Sequence, residues 1–88
     1  MPKVPEHAHR DRRRQAVAAL ARVLRAARRN QRLSQQQAAM AAGIALYTYQ
    51  SLERGLAPSG ADANPTLDTI LRAFAVLDID PLEAFREA

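Results

Sequence analysis

The sequence predicts an all-α fold, a compact bundle of five short helices. Apolar residues recur at three- and four-residue spacing in two segments, Val17–Leu20–Leu24–Ala27 and Leu67–Ile70–Leu71–Phe74–Leu77. That is the period of a helix with one buried face. Helix-start residues stand at the right places between and after them: Ser34, Thr66, and Asp80 followed by Pro81. The succession of helical patterns leaves no stretch for a strand and no internal repeat.

The first twelve residues read as a flexible basic arm, and residues 13–88 as one domain. Met1 to His9 holds two prolines, two histidines and little apolar content, the composition of a disordered segment. His7 and His9 are two ligands in a tail, too few for a metal site, so no metal and no cofactor is expected. Arg10–Asp11–Arg12–Arg13–Arg14 either starts helix 1 with Asp11 as N-cap or continues the arm. Arginines at a helix N-terminus oppose the macrodipole, which predicts a frayed start. Helix 1 should then run to about Arg29. Arg22, Arg25, Arg29 and Arg32 recur on a second face, which either approaches phosphate or is simply solvated.

Two short helices about a tight turn follow, within Leu33–Gly55. Ser34 with Gln37 three residues later forms a capping box, each side chain meeting the other's backbone N–H. Gln35 to Ala42 is rich in alanine, the best helix former. Gly43 stops it, because a left-handed residue there costs glycine nothing. Leu46 to Arg54 makes the second helix, closed by Gly55. This is a helix-turn-helix arrangement, whose second helix typically enters the DNA major groove. Residues 56–65 then read as a loop, from their Gly, Pro, Ser, Asp and Asn. The loop contains no Lys or Arg and is a candidate surface for a protein partner. Thr66 caps helix 4, Leu67 to Leu77. Asp80 caps helix 5, whose apolar residues are Leu82 and Phe85.

Composition narrows the functional classes. The 88 residues carry a net charge of +4, unevenly spread. Residues 1–54 hold 11 of the 13 Lys/Arg and three of the nine carboxylates, leaving that part at +8 and the rest at −4. A polyanion is drawn to the half that carries the helix-turn-helix and repelled by the other. There is no cysteine, which excludes disulfides and thiolate chemistry. Neither a membrane-length apolar run nor a signal-peptide h-region is evident, so no membrane association and a cytoplasmic, nucleoid-associated location are expected. No nucleophile, base or carboxylate pair suggests an enzyme.

Leu33-Ser34-Gln35, Ala39, Gly43-Ile44 and Leu52-Glu53-Arg54-Gly55, with Arg28 five residues upstream of Leu33, together resemble the helix-turn-helix of the lambda-repressor-like (Xre-type) DNA-binding family. Asn64-Pro65-Thr66-Leu67-Asp68-Thr69-Ile70 is similar to the start of helix 4 in restriction-modification controller proteins. The resemblance spans roughly residues 20–85. It implies a structural ion pair between Arg28 and Glu53 that ties helix 1 to the recognition helix. It places Ile44, Tyr49 and Leu52 inward, and gives Gln35 a phosphate contact that also braces the recognition helix, with Gln36 assisting. Arg29 and Arg32 are the arginines nearest the motif and the further candidates for phosphate. Outward positions match Ala45, Leu46, Tyr47, Gln50 and Ser51, and Leu46, Tyr47, Gln50 and Ser51 are the expected base readers. Gln50 can pair bidentately with adenine. Leu46 and Tyr47 could instead pack against helix 2, the loop or a protein partner. The expected function is a sequence-specific transcriptional regulator binding double-stranded DNA as a homodimer on a palindromic operator. The alternative is a protein-interaction module, antitoxin-like or phage-borne, in which DNA binding is secondary. Leu82 and Phe85 are the expected dimer contact, or else they cap the monomer core.

Overall fold

Pro5 adopts φ −57° and ψ 142°, and the chain turns from it into a helix at Glu6. The computed structural model describes residues 2–57, 59–61 and 63–87, without the side chains of Phe85 and Glu87. Its elements are α1 (Glu6–Asn30), α2 (Gln35–Ala42), α3 (Leu46–Arg54), α4 (Leu67–Leu77) and α5 (Pro81–Glu87). Among the described residues there is no strand. α2, α3, α4 and the Pro81 start of α5 fall where the sequence places them.

The start of α1 needs a correction, because the helix begins at Glu6 and not near Asp11 or Arg13. Pro5 and the carboxylate of Glu6 now occupy the N-terminus, where an acidic first turn suits the macrodipole. The arginines from Arg10 onward lie a turn or more inside, beyond the reach of that dipole. At about 1.5 Å per residue the 25-residue helix spans roughly 37 Å, which sets the molecule's longest extent of 44 Å. Most of it before Val17 is exposed, with Arg13 a half-buried exception.

The core collects one stripe from each helix. Leu20 and Leu24 of α1, Tyr49 and Leu52 of α3, and Ala73, Phe74 and Leu77 of α4 form a single cluster with Ala38, Ala39 and Ala84. α1 packs on α3 and α4, and α2 packs on the same two helices. α2 buries only alanines (Ala38, Ala39, Ala42), and short side chains let helix axes approach closely. That holds α2 tight against α3.

Three helices end in the same way. At the end of α1, Arg32 takes a left-handed φ of 57°, and Leu33 N–H donates to the Arg28 carbonyl at 3.2 Å. Gly43 ends α2 at φ 71°, with Ile44 N–H donating to the Ala39 carbonyl at 3.1 Å. Asp78 ends α4 at φ 55°, with Ile79 N–H donating to the Phe74 carbonyl at 2.9 Å. Each is a Schellman-type stop, completed by an apolar residue just beyond the left-handed position. Leu33, Ile44 and Ile79 all pack on the core, so these contacts set the angle at which the chain leaves each helix.

Candidate nucleic-acid interface

Helix α2 is fixed at both ends. Ser34 Oγ accepts from Gln37 N–H at 3.0 Å, and Gln37 Oε1 accepts from Ser34 N–H at 2.8 Å. The expected capping box is formed. At the other end of α2, the Arg72 guanidinium donates to the Ala42 carbonyl at 3.5 Å. Gly43 leaves room for it, since a Cβ there would stand 3.4 Å from Arg72 Nη1.

A polar network then holds α3 against α1 and α2. Arg28 grips Glu53 with two bonds, Nε to Oε2 at 2.5 Å and Nη2 to Oε1 at 3.0 Å. Its third nitrogen, Nη1, donates to the Leu33 carbonyl at 2.9 Å. Gln35 Nε2 donates to Glu53 Oε1 at 3.2 Å, and Gln50 Nε2 donates to Gln35 Oε1 at 3.3 Å. Arg25 adds a bond to the Glu53 carbonyl. Arg28, Glu53, Gln35 and Gln50 are thus one chain of hydrogen bonds through three helices. Glu53 is 3% exposed. Burial by itself would raise its carboxyl. The hydrogen bonds from Arg28 and Gln35, with the nearby Tyr49 hydroxyl adding to them, outweigh that and hold it below the ordinary 4.5. Tyr49 is fully buried beside this pair. Burial, reinforced by the Glu53 charge, pushes its hydroxyl well up, and the hydroxyl makes no hydrogen bond of normal geometry. Placing tyrosine at this inward position therefore leaves its polar end without either the partner or the exit to water that a phenol needs.

With α3 pinned on its inner side, its outer side is bare. At about 100° per residue, Leu46, Gln50, Arg54, Tyr47 and Ser51 share one arc. Tyr47 is 65% exposed and Leu46 38%, so neither is buried against the rest of the fold. Gln50 and Ser51 are half-buried. Ser51 Oγ donates to the Tyr47 carbonyl at 2.9 Å, which spends its proton and leaves its lone pairs to accept. Bidentate pairing with adenine would require Gln50 to release Gln35. Gln36, Arg29 and Arg32 are exposed, while Gln35 is half-buried. The basic stripe on α1 is broken at two places: Arg25 turns inward to Glu53, and Arg32 lies past the helix end in its left-handed position.

Leu82 is 75% exposed, and the side chain of Phe85 lies outside the described residues. Within the loop of residues 56–65, positions 58 and 62 also lie outside them. Of the rest, Ala63 is buried and donates to the Gly55 carbonyl at 3.3 Å, tying the loop to the end of α3. Arg54, read from the sequence only as part of the family motif, is an outer-arc residue outside the expected contact set, and its spacing of four from Gln50 places it there. No group of three His, Asp or Glu among the described residues is placed to hold a metal. No helix of the described residues is long and apolar enough to cross a membrane.

A family model described as a helix-turn-helix matches residues 24–83. Comparison with curated proteins and with solved structures gives no match.

Proposed function

The chain belongs to the lambda-repressor-like (Xre-type) helix-turn-helix family, which is a DNA-binding regulatory family, and from that premise we propose that it is a transcriptional regulator reading a palindromic operator as a homodimer. The observation that carries this reading is the division of α3 into two sides. Its inner side is locked by the Arg28–Glu53–Gln35 chain, with Gln50 at the edge of that chain, and its outer arc leaves Tyr47 and Arg54 exposed. A major-groove reader needs both, since a helix that rocks cannot keep a bidentate register.

In this reading Gln50 and Ser51 meet base edges, and Leu46 and Tyr47 cover thymine methyls or sugar. Arg29, Arg32, Gln35 and Gln36 meet phosphates, and the N-terminus of α2 adds its own N–H groups. The two-fold contact uses Leu82 and Phe85, away from DNA, because a second copy doubles the few base contacts one domain makes. Exposed Leu67 and Leu71 on α4 give that contact further apolar area. A soluble cytoplasmic protein without catalytic activity completes the proposal. A protein-interaction role is the second reading. It is favoured by the exposed Leu46 and Tyr47, an apolar pair on the arc that would meet DNA.

Genomic DNA selection with the purified protein, followed by footprinting, tests the proposal. It should yield a palindrome with half-sites about one turn apart, roughly 34–36 Å. Recovery of no enriched sequence would favour the protein-interaction reading. Within a recovered site, Gln50→Ala should lose about 1–3 kcal/mol on the cognate duplex alone. Arg32→Ala should weaken cognate and random DNA alike, with a salt slope lower by about 1. Equal losses on both duplexes for Gln50→Ala would show that Gln50 is no reader.

A further inference from the structure

We propose that Arg13, Arg14 and Arg54 form a phosphate-binding cleft at the C-terminal end of α3, which grips a DNA backbone phosphodiester next to the reading arc. This inference rests on the DNA-binding reading above and adds a contact to it. The cleft has a volume of about 260 Å³ and is lined by Arg13, Arg14, Val17, Arg54, Gly55 and Leu56, among others. No carboxylate lines it among the described residues.

Its walls belong to different helices held in fixed relation. A Cβ on Gly55 would stand 3.6 Å from Val17 Cγ1, so the Val17 side chain of α1 lies against the end of α3. That places the basic stretch of α1 beside Arg54, one turn along the outer arc from Gln50. Arg13 is the half-buried member of the set. Its Nε is buried and has no hydrogen-bond partner within the fold. The Nε itself is closed to solvent, so a phosphate in the cleft would meet the terminal guanidinium nitrogens, whose charge and fork geometry suit it. Arg14 is already engaged within the fold and contributes its charge to the wall. The loop at residues 56–65 has no Lys or Arg, so the segment leaving the recognition helix brings no cation of its own. The arginines of α1 stand at the base of that loop, against Leu56 and Ala63, and supply the charge it lacks. The α1 residues concerned precede the family match at residues 24–83, so the cleft joins a part of this chain outside the match to the end of the recognition helix.

Salt titration of binding to a random-sequence duplex tests the cleft, using the full chain and its Arg13→Gln, Arg54→Gln and Arg86→Gln variants. Arg54 is exposed, so its variant keeps the fold even if Arg13→Gln does not; melting temperatures establish which variants are folded. Removing one phosphate-binding cation lowers the salt slope by about 1. Arg13→Gln and Arg54→Gln should each show that drop, and Arg86→Gln, on exposed α5, should keep the wild-type slope. Unchanged slopes in both cleft variants overturn the proposal and are what an acidic protein segment as occupant would produce. An equal drop in Arg86→Gln overturns it too, by making the effect one of overall charge. A free-anion site is distinguished by melting in inorganic phosphate against chloride at equal ionic strength. A rise with phosphate that Arg13→Gln abolishes would replace the DNA contact with a small-anion site. Wild-type protein that binds no duplex at low salt defeats the DNA reading itself, an outcome distinct from any difference among the variants.

Discussion

The two junctions that α1 makes share one apolar cluster but differ in the polar contacts added to it. Toward α4, it offers Leu20 and Leu24 to the same cluster as Ala73, Phe74 and Leu77, with one bond from Gln31, at its C-terminal end, to the Leu77 carbonyl. Toward α3, it offers Arg25 and Arg28 to both the side chain and the carbonyl of Glu53. Apolar burial is strong and non-directional, so the α4 side holds the bundle together while tolerating small changes of angle. A bidentate guanidinium–carboxylate pair gains little net stability after desolvation but has one good geometry. The α3 side therefore aims the helix. In this molecule the element that must be positioned most accurately is secured by the polar junction.

The largest effect should come from the apolar side. Phe74 is 1% exposed, and Phe74→Ala should cost about 3–5 kcal/mol through reduced transfer energy and a cavity. For a domain this small that is most of the available stability. Urea unfolding should show the midpoint collapse. A loss below about 1 kcal/mol would mean that α4 is not what closes the core.

Glu53→Ala comes next, at about 2–4 kcal/mol. The full penalty for stranding a sealed charge is about 3–5 kcal/mol, and Arg28, at 14% exposure, recovers part of it by reaching water. What separates this variant from Phe74→Ala is the remainder: at a temperature where it is still folded, it should bind DNA more weakly than its stability explains. Folded Glu53→Ala with unaltered DNA affinity would break the division of labour between the junctions.

Acid sharpens the same contrast. The Glu53 carboxyl lies below its ordinary 4.5 in the folded chain, so the folded state binds its proton less readily than the unfolded state. Its contribution is complete above about pH 4.5, and is lost as pH falls through the depressed folded value. The gap in melting temperature between wild type and Glu53→Ala should stay constant from neutral pH to about pH 5 and shrink below 4.5. The other carboxylates are common to both proteins and cancel. A gap that persists undiminished at pH 3 would show that the carboxyl is not held by Arg28.

How far the sequence revealed these junctions depends on how local each signal is. Ser34 and Gln37 are three residues apart, Gly43 and Gly55 stop their own helices, and Thr66 caps its own turn; all were legible because cause and effect share a turn. The Arg28–Glu53 pair joins residues 25 apart and was visible only through the family resemblance. Gln31 donating to the Leu77 carbonyl at 2.7 Å, and Arg72 to that of Ala42, span longer separations and involve backbone acceptors, which carry no residue signature. Arg32 at φ 57° was invisible because nothing in arginine announces a left-handed position. In the candidate site, the outer arc could be read from spacing alone, including Arg54. The inward turn of Arg25 and the cleft at Arg13 depend on how α1 is seated, and no spacing gives that.

Tyr49 belongs to both junctions, and its substitution should give the smallest effect. The ring is fully buried in the apolar cluster, while the hydroxyl lies against the Arg28–Glu53 pair without a hydrogen bond of normal geometry. Tyr49→Phe keeps the ring and removes only the oxygen. If that oxygen is a buried donor without a partner, its removal should leave stability unchanged or raise it by up to about 1 kcal/mol. The polar side should respond in the opposite direction. Tyr49 helps to hold the Glu53 carboxyl down, so without it the folded value moves up toward 4.5, and the acid-induced loss becomes smaller and is complete at a higher pH. Melting curves of the two proteins from pH 7 to pH 3 measure both effects: equal or higher stability near neutrality, and a smaller decline on acidification below about pH 4.5. A loss of more than about 1 kcal/mol at pH 7 would reverse the interpretation, because it would identify the phenol as a working donor to Glu53 and extend the polar junction into the core.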